Sequence, residues 1–339
     1  MERAAKGVAA IGPCAWVDSI RSCAGWGPWP RWDRALRPYV ARGRDEKLVG
    51  MNTAKRFERI LLATDGSDAS QAAVDVTIAI AKSPTAKVRV AHVWNLEVHH
   101  HHGVWDVEMR NEAEKLVEVT VERLLKAGVI AEREIDRADS KHVAAAIALS
   151  AKGFQADLVV LGSRGLTDWQ SMTQHSVSHE LLCALDCPVL IAHGRPAGSP
   201  AKVSRIVLAI AGGDDLAPAA RAATAVASPD ASVMVVHVAQ AIFGVQGFAY
   251  VESDDDIRET MARASELLIA AKVKVQGMVA HQGPVAKAVA EIAADWNADL
   301  IVVGSSRMGD ISSLFLGSVS HDLLHMTDRP VLIAERIGS

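Results

Sequence analysis

The chain contains a second copy of itself. Val177-Ser178-His179-Glu180-Leu181-Leu182 returns as Val319-Ser320-His321-Asp322-Leu323-Leu324, 142 positions downstream. At the same spacing Pro188-Val189-Leu190-Ile191-Ala192 returns as Pro330-Val331-Leu332-Ile333-Ala334, and Ala156-Asp157-Leu158 as Ala298-Asp299-Leu300. Further upstream, Arg59-Ile60-Leu61-Leu62-Ala63 matches Arg205-Ile206-Val207-Leu208-Ala209 at a spacing of 146. An indel absorbs the difference, which leaves two homologous units. A chain of 339 residues accommodates both, each large enough to bury a core of its own.

The two units read alike. In copy one a β-branched and aliphatic run, Ile60 to Thr64, ends in a glycine turn and is followed by an Ala-rich helical stretch and a second run, Val88 to Val93. A long helix over Val107 to Ala127 leads to a weaker third strand, Val129 to Ile135, and an Ala-rich helix from about His142. Asp157 to Leu161 and Pro188 to Ala192 are the fourth and fifth strands. Copy two repeats the strands at Ile206 to Ile210, Val233 to Val238, Lys274 to Ala280, Asp299 to Val303 and Pro330 to Ala334, with the long helix over Ile257 to Ala271. Continuous apolar strands separated by helices mark a parallel sheet covered on both faces. With right-handed crossovers the expected fold is α/β: two tandem doubly wound, Rossmann-like domains, each with a five-stranded parallel sheet in the order 3-2-1-4-5. The expected divisions are an N-terminal extension over 1–54, a first domain over 55–195, a Pro- and Gly-containing linker over 196–204 and a second domain over 205–339.

The extension has no counterpart in the repeat and holds Trp16, Trp26, Trp29 and Trp32. It reads as a disordered or separately docking arm, or as the product of a start placed too far upstream; the second is preferred, because Met51 reaches Arg59 with no spare sequence. Its early apolar stretch is broken by Gly12 and Pro13, which argues against a secretion signal. A net charge of −4 supplies no field that would collect nucleic acid or anionic lipid, and no run of eighteen apolar residues predicts a membrane span. Four cysteines without zinc or disulfide spacing fit a reducing cytoplasm.

Ligands of doubly wound sheets bind outside the carboxyl ends of the strands where strand order reverses, here between the first and fourth. Copy one carries Ala63-Thr64-Asp65-Gly66-Ser67-Asp68 at one of these ends and Gly162-Ser163-Arg164-Gly165 at the other, with His175-Ser176-Val177-Ser178 opening the next helix. Glycines let backbone amides approach an anion, and a helix N-terminus with serine hydroxyls adds donors and a favourable dipole. A strand-end carboxylate suits a ribose hydroxyl or an adenine amine.

At these residues the chain is similar to tandem universal stress proteins over about residues 56 to 336. ATP-binding members of that family show Gly, two residues, Gly, nine residues, Gly, then Ser or Thr. The resemblance implies ATP or another adenine nucleotide as cofactor, optionally with magnesium. In copy one it implies binding by Thr64, Asp65, Val93, Gly162, Ser163, Arg164, Gly165, His175, Ser176, Val177 and Ser178. In copy two it implies Gly304, Ser305, Arg307, Gly317, Ser318, Val319 and Ser320. Both copies depart from the pattern: His175 stands at the third glycine position of copy one, while in copy two Arg307 stands at the second and Ala211 replaces the strand-end Asp. The family pairs subunits through their last strands, so a tandem chain is expected to form that pairing internally, with a homodimer as a further step.

Bland readings stand beside these. His92 and His237 read as satisfied interior histidines, the tract His99-His100-His101-His102 as an adventitious metal binder, and Cys183 and Cys187 as small buried hydrophobes. The leading function is a cytoplasmic adenine-nucleotide-binding regulatory or interaction protein of the stress response. The alternatives are a slow ATPase or nucleotide hydrolase, for which no P-loop and no nucleophile-base pair can be assembled, and a module that has shed nucleotide.

Overall fold

The computed structural model of the chain describes residues 55–81, 83–99, 103–106, 110–139, 142–163, 177–193, 202–211, 216–239, 241–244, 247–250, 253–282, 284–304 and 318–334. The extension therefore lies outside the described residues, as do Arg164, Gly165, His175, Ser176, Ser305, Arg307 and Gly317.

Copy one runs β1 (Arg59–Ala63), α1 (Asp68–Ile80), β2 (Lys87–His99), β3 (Gly103–Asp106), α2 (Arg110–Lys126), β4 (Ile130–Asp139), α3 (Val143–Phe154), β5 (Leu158–Ser163), α4 (Val177–Ala184) and β6 (Val189–His193). Copy two runs β7 (Arg205–Ile210), α5 (Leu216–Val226), β8 (Ser232–Ala239), β9 (Ala241–Gly244), β10 (Gly247–Tyr250), α6 (Asp254–Ala270), β11 (Lys274–Gln282), α7 (Val285–Asp295), β12 (Leu300–Val303), α8 (Ser318–Met326) and β13 (Val331–Ile333). The parallel order β4-β2-β1-β5-β6 is repeated as β11-β8-β7-β12-β13, which is 3-2-1-4-5 in both.

The two sheets are one. β6 and β13 pair antiparallel, with Leu190 opposite Leu332, so two repeat-equivalent residues face each other across a pseudo-twofold axis. Both are fully buried. The fifth strands thereby give up their open edges to each other, and the result is a single sheet of eleven strands among the described residues.

The inner strands β1, β5, β6, β7, β12 and β13 are covered on both faces, which explains their uninterrupted apolar runs. Ile60 and Leu62 belong to a core shared with α1, α2, α5 and α6; Leu61 and Ala63 belong to the opposite core, shared with α3, α4, α7 and α8. The repeated Asp of the Ala-Asp-Leu motif ties each sheet together. Asp157 accepts the Glu58 and Arg59 amides at 2.8 and 2.9 Å, and Asp299 accepts those of Ser204 and Arg205 at 2.9 and 2.8 Å. Each carboxylate thus locks the entry of the first strand to that of the fourth. Burial raises the Asp157 pKa above the usual carboxylate value, opposed by the two amide bonds.

The copies part company after the second strand. β2 continues well past Val93 and turns back as β3, with Leu96 paired to Asp106 on one side and to Asp139 of β4 on the other. β3 therefore lies on the same edge of β2 as β1, beyond the carboxyl end of β1. In copy two the corresponding hairpin, β9 and β10, pairs only with itself among the described residues.

Candidate functional site

The reversal of strand order falls between β1 and β5, and the two strand ends are drawn together by a glycine. A Cβ on Gly162 would lie 2.4 Å from the Ala69 carbonyl carbon and 2.6 Å from the Ser70 nitrogen. Glycine is needed here so that the first turn of α1 can rest on the end of β5. Gly66 has φ +78°, and a Cβ there would approach Leu116 Cδ1 to 2.8 Å, so the turn out of β1 also requires glycine.

Between these glycines the backbone of β1 ends in a fixed conformation. The Thr64 amide donates to the Ala91 carbonyl at 3.0 Å, and its own carbonyl accepts from His92 Nδ1 at 2.7 Å. A carbonyl only accepts, so Nδ1 carries the proton. His237 does the same for Ile210 at 3.1 Å, and both rings are buried, as interior histidines should be. The Asp65 Oδ1 then accepts the Ser67 amide at 3.0 Å, the Ser67 hydroxyl at 2.6 Å and the Ser70 hydroxyl. Ser67 caps α1 through the Ser70 amide.

Thr64, Asp65, Gly162 and Ser163 thus meet at the adjoining ends of β1 and β5, with Val93, half-buried, on β2 beside them. Val177 and Ser178 open α4. Gly304 follows β12, and Ser318, Val319 and Ser320 form the first turn of α8, with Ser320 buried. Arg164, Gly165, His175 and Ser176 of copy one and Ser305, Arg307 and Gly317 of copy two lie outside the described residues.

The four equivalent positions in copy two carry no polar side chain. Counted from β7, Ile210 replaces Thr64, Ala211 replaces Asp65, Gly213 replaces Ser67 and Leu216 replaces Ser70. Ile210 and Leu216 are both buried. Ser67 and Ser70 escape a reading keyed to glycine spacing; the signal that reveals them is their joint loss with the carboxylate between the copies.

A second polar feature sits at the seam. His193, the last residue of β6, is 4% exposed and its Nε2 has no hydrogen-bond partner among the described residues. Burial pushes its pKa down to about 4, with His325 adding to the effect and Asp328 opposing it. The His325 and His321 rings meet at a tilt of 57°, 4.7 Å between centroids. Cys187 is half-buried, not the fully buried hydrophobe expected. Among the described residues no group of three or more His, Cys, Asp or Glu is arranged to hold a metal ion, and no helix is long and apolar enough to cross a membrane.

Comparison with known proteins agrees with the geometry. A universal stress protein from Archaeoglobus fulgidus superposes with a TM-score of 0.62 at 21% identity, over 82% of this chain and 98% of that one, which shows the shared fold. The universal stress protein Rv2005c of Mycobacterium tuberculosis is 28% identical over 304 residues, covering 84% of this chain and all of its own length. The shorter universal stress protein YxiE of Bacillus subtilis is 32% identical over 148 residues, 40% of this chain and 98% of its own. The sequence profile described as the universal stress protein family matches residues 56–193 and again residues 202–335, and the chain belongs to that family.

Proposed function

We propose that this chain binds an adenine nucleotide, with ATP as the expected ligand, at the copy-one switch point, and that it acts as a stress-response regulatory protein through occupancy of that site. The observation that carries this reading is the contrast at the two strand ends. Copy one has four polar positions, Thr64, Asp65, Ser67 and Ser70, where copy two keeps the same strand and helix with Ile210, Ala211, Gly213 and Leu216 in sequence. Polar groups present in one copy and replaced in the other, while strand and helix persist, are suited to a ligand.

The residues fit the nucleoside end of such a ligand. The strand-end carboxylate is an acceptor for ribose hydroxyls or the adenine amine, and β3 extends the sheet beyond β1 on the side where a base would lie. Domain 1 over 55–195 is then the ligand domain, and domain 2 over 205–339 chiefly its packing partner across β6 and β13. Because those two edges are used internally, a homodimer would form through another surface.

The test is to denature the purified protein and identify released small molecules by mass, then to titrate the ligand-free protein with ATP by calorimetry. Release of an adenine nucleotide, or binding at one site per chain, supports the reading. No nucleotide and no heat at millimolar ATP would overturn it in favour of a module without nucleotide.

A further inference from the structure

The site carboxylate is held by a neighbour that is itself out of a ligand's reach. Ser70 is 2% exposed, beneath the first turn of α1 and against Gly162. Its hydroxyl donates to Asp65 Oδ1, and its oxygen accepts the Asp65 amide at 3.0 Å. One side chain therefore grips the same residue at both backbone and carboxylate, closing a ring that leaves Asp65 little rotational freedom. The Ser67 amide and hydroxyl converge on the same oxygen and reinforce this.

The repeat separates this grip from the needs of the fold. Copy two preserves the structural bonds around it: the histidine to the strand-end carbonyl, and the Asp299 clamp on the first strand. What it has lost is the carboxylate and the serine together, as Ala211 and Leu216, with Leu216 filling the buried position. Two residues that disappear as a pair, while the surrounding bonds persist, serve one purpose. A free carboxylate samples several rotamers, and ordering it on binding costs affinity; a pre-set one has already met that cost.

We infer that Ser70 is the positioning residue of the copy-one site: it fixes the Asp65 carboxylate in the orientation that accepts an N–H or O–H donor of the nucleoside, and touches no ligand itself. The inference rests on the nucleotide reading above.

It is tested by calorimetric titration of the full chain with ATP in a double-mutant cycle. Asp65→Ala and Ser70→Ala should each weaken binding about tenfold. The double variant should be no weaker than Asp65→Ala to within about twofold, since the serine acts only through the carboxylate. Ser70→Thr, which keeps the hydroxyl, should restore most of the affinity lost in Ser70→Ala. Asp65→Ala with Ser70→Leu copies the arrangement that copy two folds with, and supplies a folded reference of low affinity should Ser70→Ala unfold. Wild-type affinity in Ser70→Ala, multiplicative losses of about a hundredfold in the double variant, or a threonine variant no better than alanine would each overturn the inference alone. A wild-type chain that binds no ATP would overturn both it and the nucleotide reading.

Discussion

Copy one and copy two share a strand order, a clamp and a buried histidine, yet differ at the one place where a doubly wound sheet takes ligand. At the end of β1 the chain builds a network of hydroxyls around Asp65; at the end of β7 the same positions are Ile210, Ala211, Gly213 and Leu216. The difference teaches which groups the fold requires. Asp157 and Asp299 both hold two amides, so that carboxylate is structural. Asp65 has no counterpart in copy two, where Ala211 stands, so the shared strand order and clamp do not require its carboxylate.

The comparison can be broken most severely at Gly162. Gly162→Ala places a Cβ 2.4 Å from helix backbone, which cannot yield as a side chain would. The expected loss is roughly 3 kcal/mol or more, read as a fall in the urea midpoint, with copy-one ligand binding lost as the strand ends part. Tolerance of alanine there would show that the strand ends need not touch.

The seam offers the next effect. His193 is neutral when folded, with a pKa of about 4 against an ordinary 6.5. A depressed histidine pKa means that the unfolded chain takes up the proton first, so its contribution is fully present above about pH 6.5 and is lost as pH falls toward 4. The loss approaches about 3 kcal/mol at the acid end. Urea unfolding at several pH values should show it, and His193→Phe should lose that part of the acid dependence; an unchanged profile would remove His193 from the account. The equivalent position in copy two is Glu335, so the dependence belongs to one end of the seam.

Asp65→Ala should weaken ATP binding about tenfold and cost little stability, because Asp65 is itself exposed and the buried Ser70 hydroxyl keeps the Ser67 hydroxyl as a partner. Calorimetry and a thermal melt on the same sample separate the two. A large fall in melting temperature without loss of affinity would make Asp65 structural after all.

The smallest effect sharpens the comparison at the ends of the long helices. Gly128 follows α2 with φ +81°, while Lys272 holds the equivalent place after α6 with φ +62°. Lys272→Gly should relieve left-handed strain and stabilise copy two by up to about 1 kcal/mol, measured by denaturant unfolding.

Much of this architecture was legible without coordinates. The strands and their order follow from apolar runs and the crossover rule, and the observed boundaries sit within a few residues of expectation, β2 excepted. β2 overran its expected end at Val93 because Leu96 onward pairs with β3, a partner no local pattern announces. The internal pairing of the last strands, expected from the family resemblance, fuses the two five-stranded sheets into one, because a fifth strand with an open edge gains a ladder of hydrogen bonds from its repeat. Of the site, the strand-end Asp and Gly162 were visible as motif letters, but Ser67 and Ser70 were not, since a serine in a first helical turn looks like any cap.

By itself the sequence determined the duplication, the alternation of strand and helix, and the inequality of the copies, because these are properties of periodicity and of which residue occupies a repeated position. Only the tertiary structure decided what the repeated residues do. Gly162 is packed against α1, Asp157 clamps a strand about a hundred residues upstream, and His193 is buried where His325 and Asp328 of the other copy act on its charge. Each of these depends on contacts between residues far apart in the chain, which spacing along the sequence does not encode.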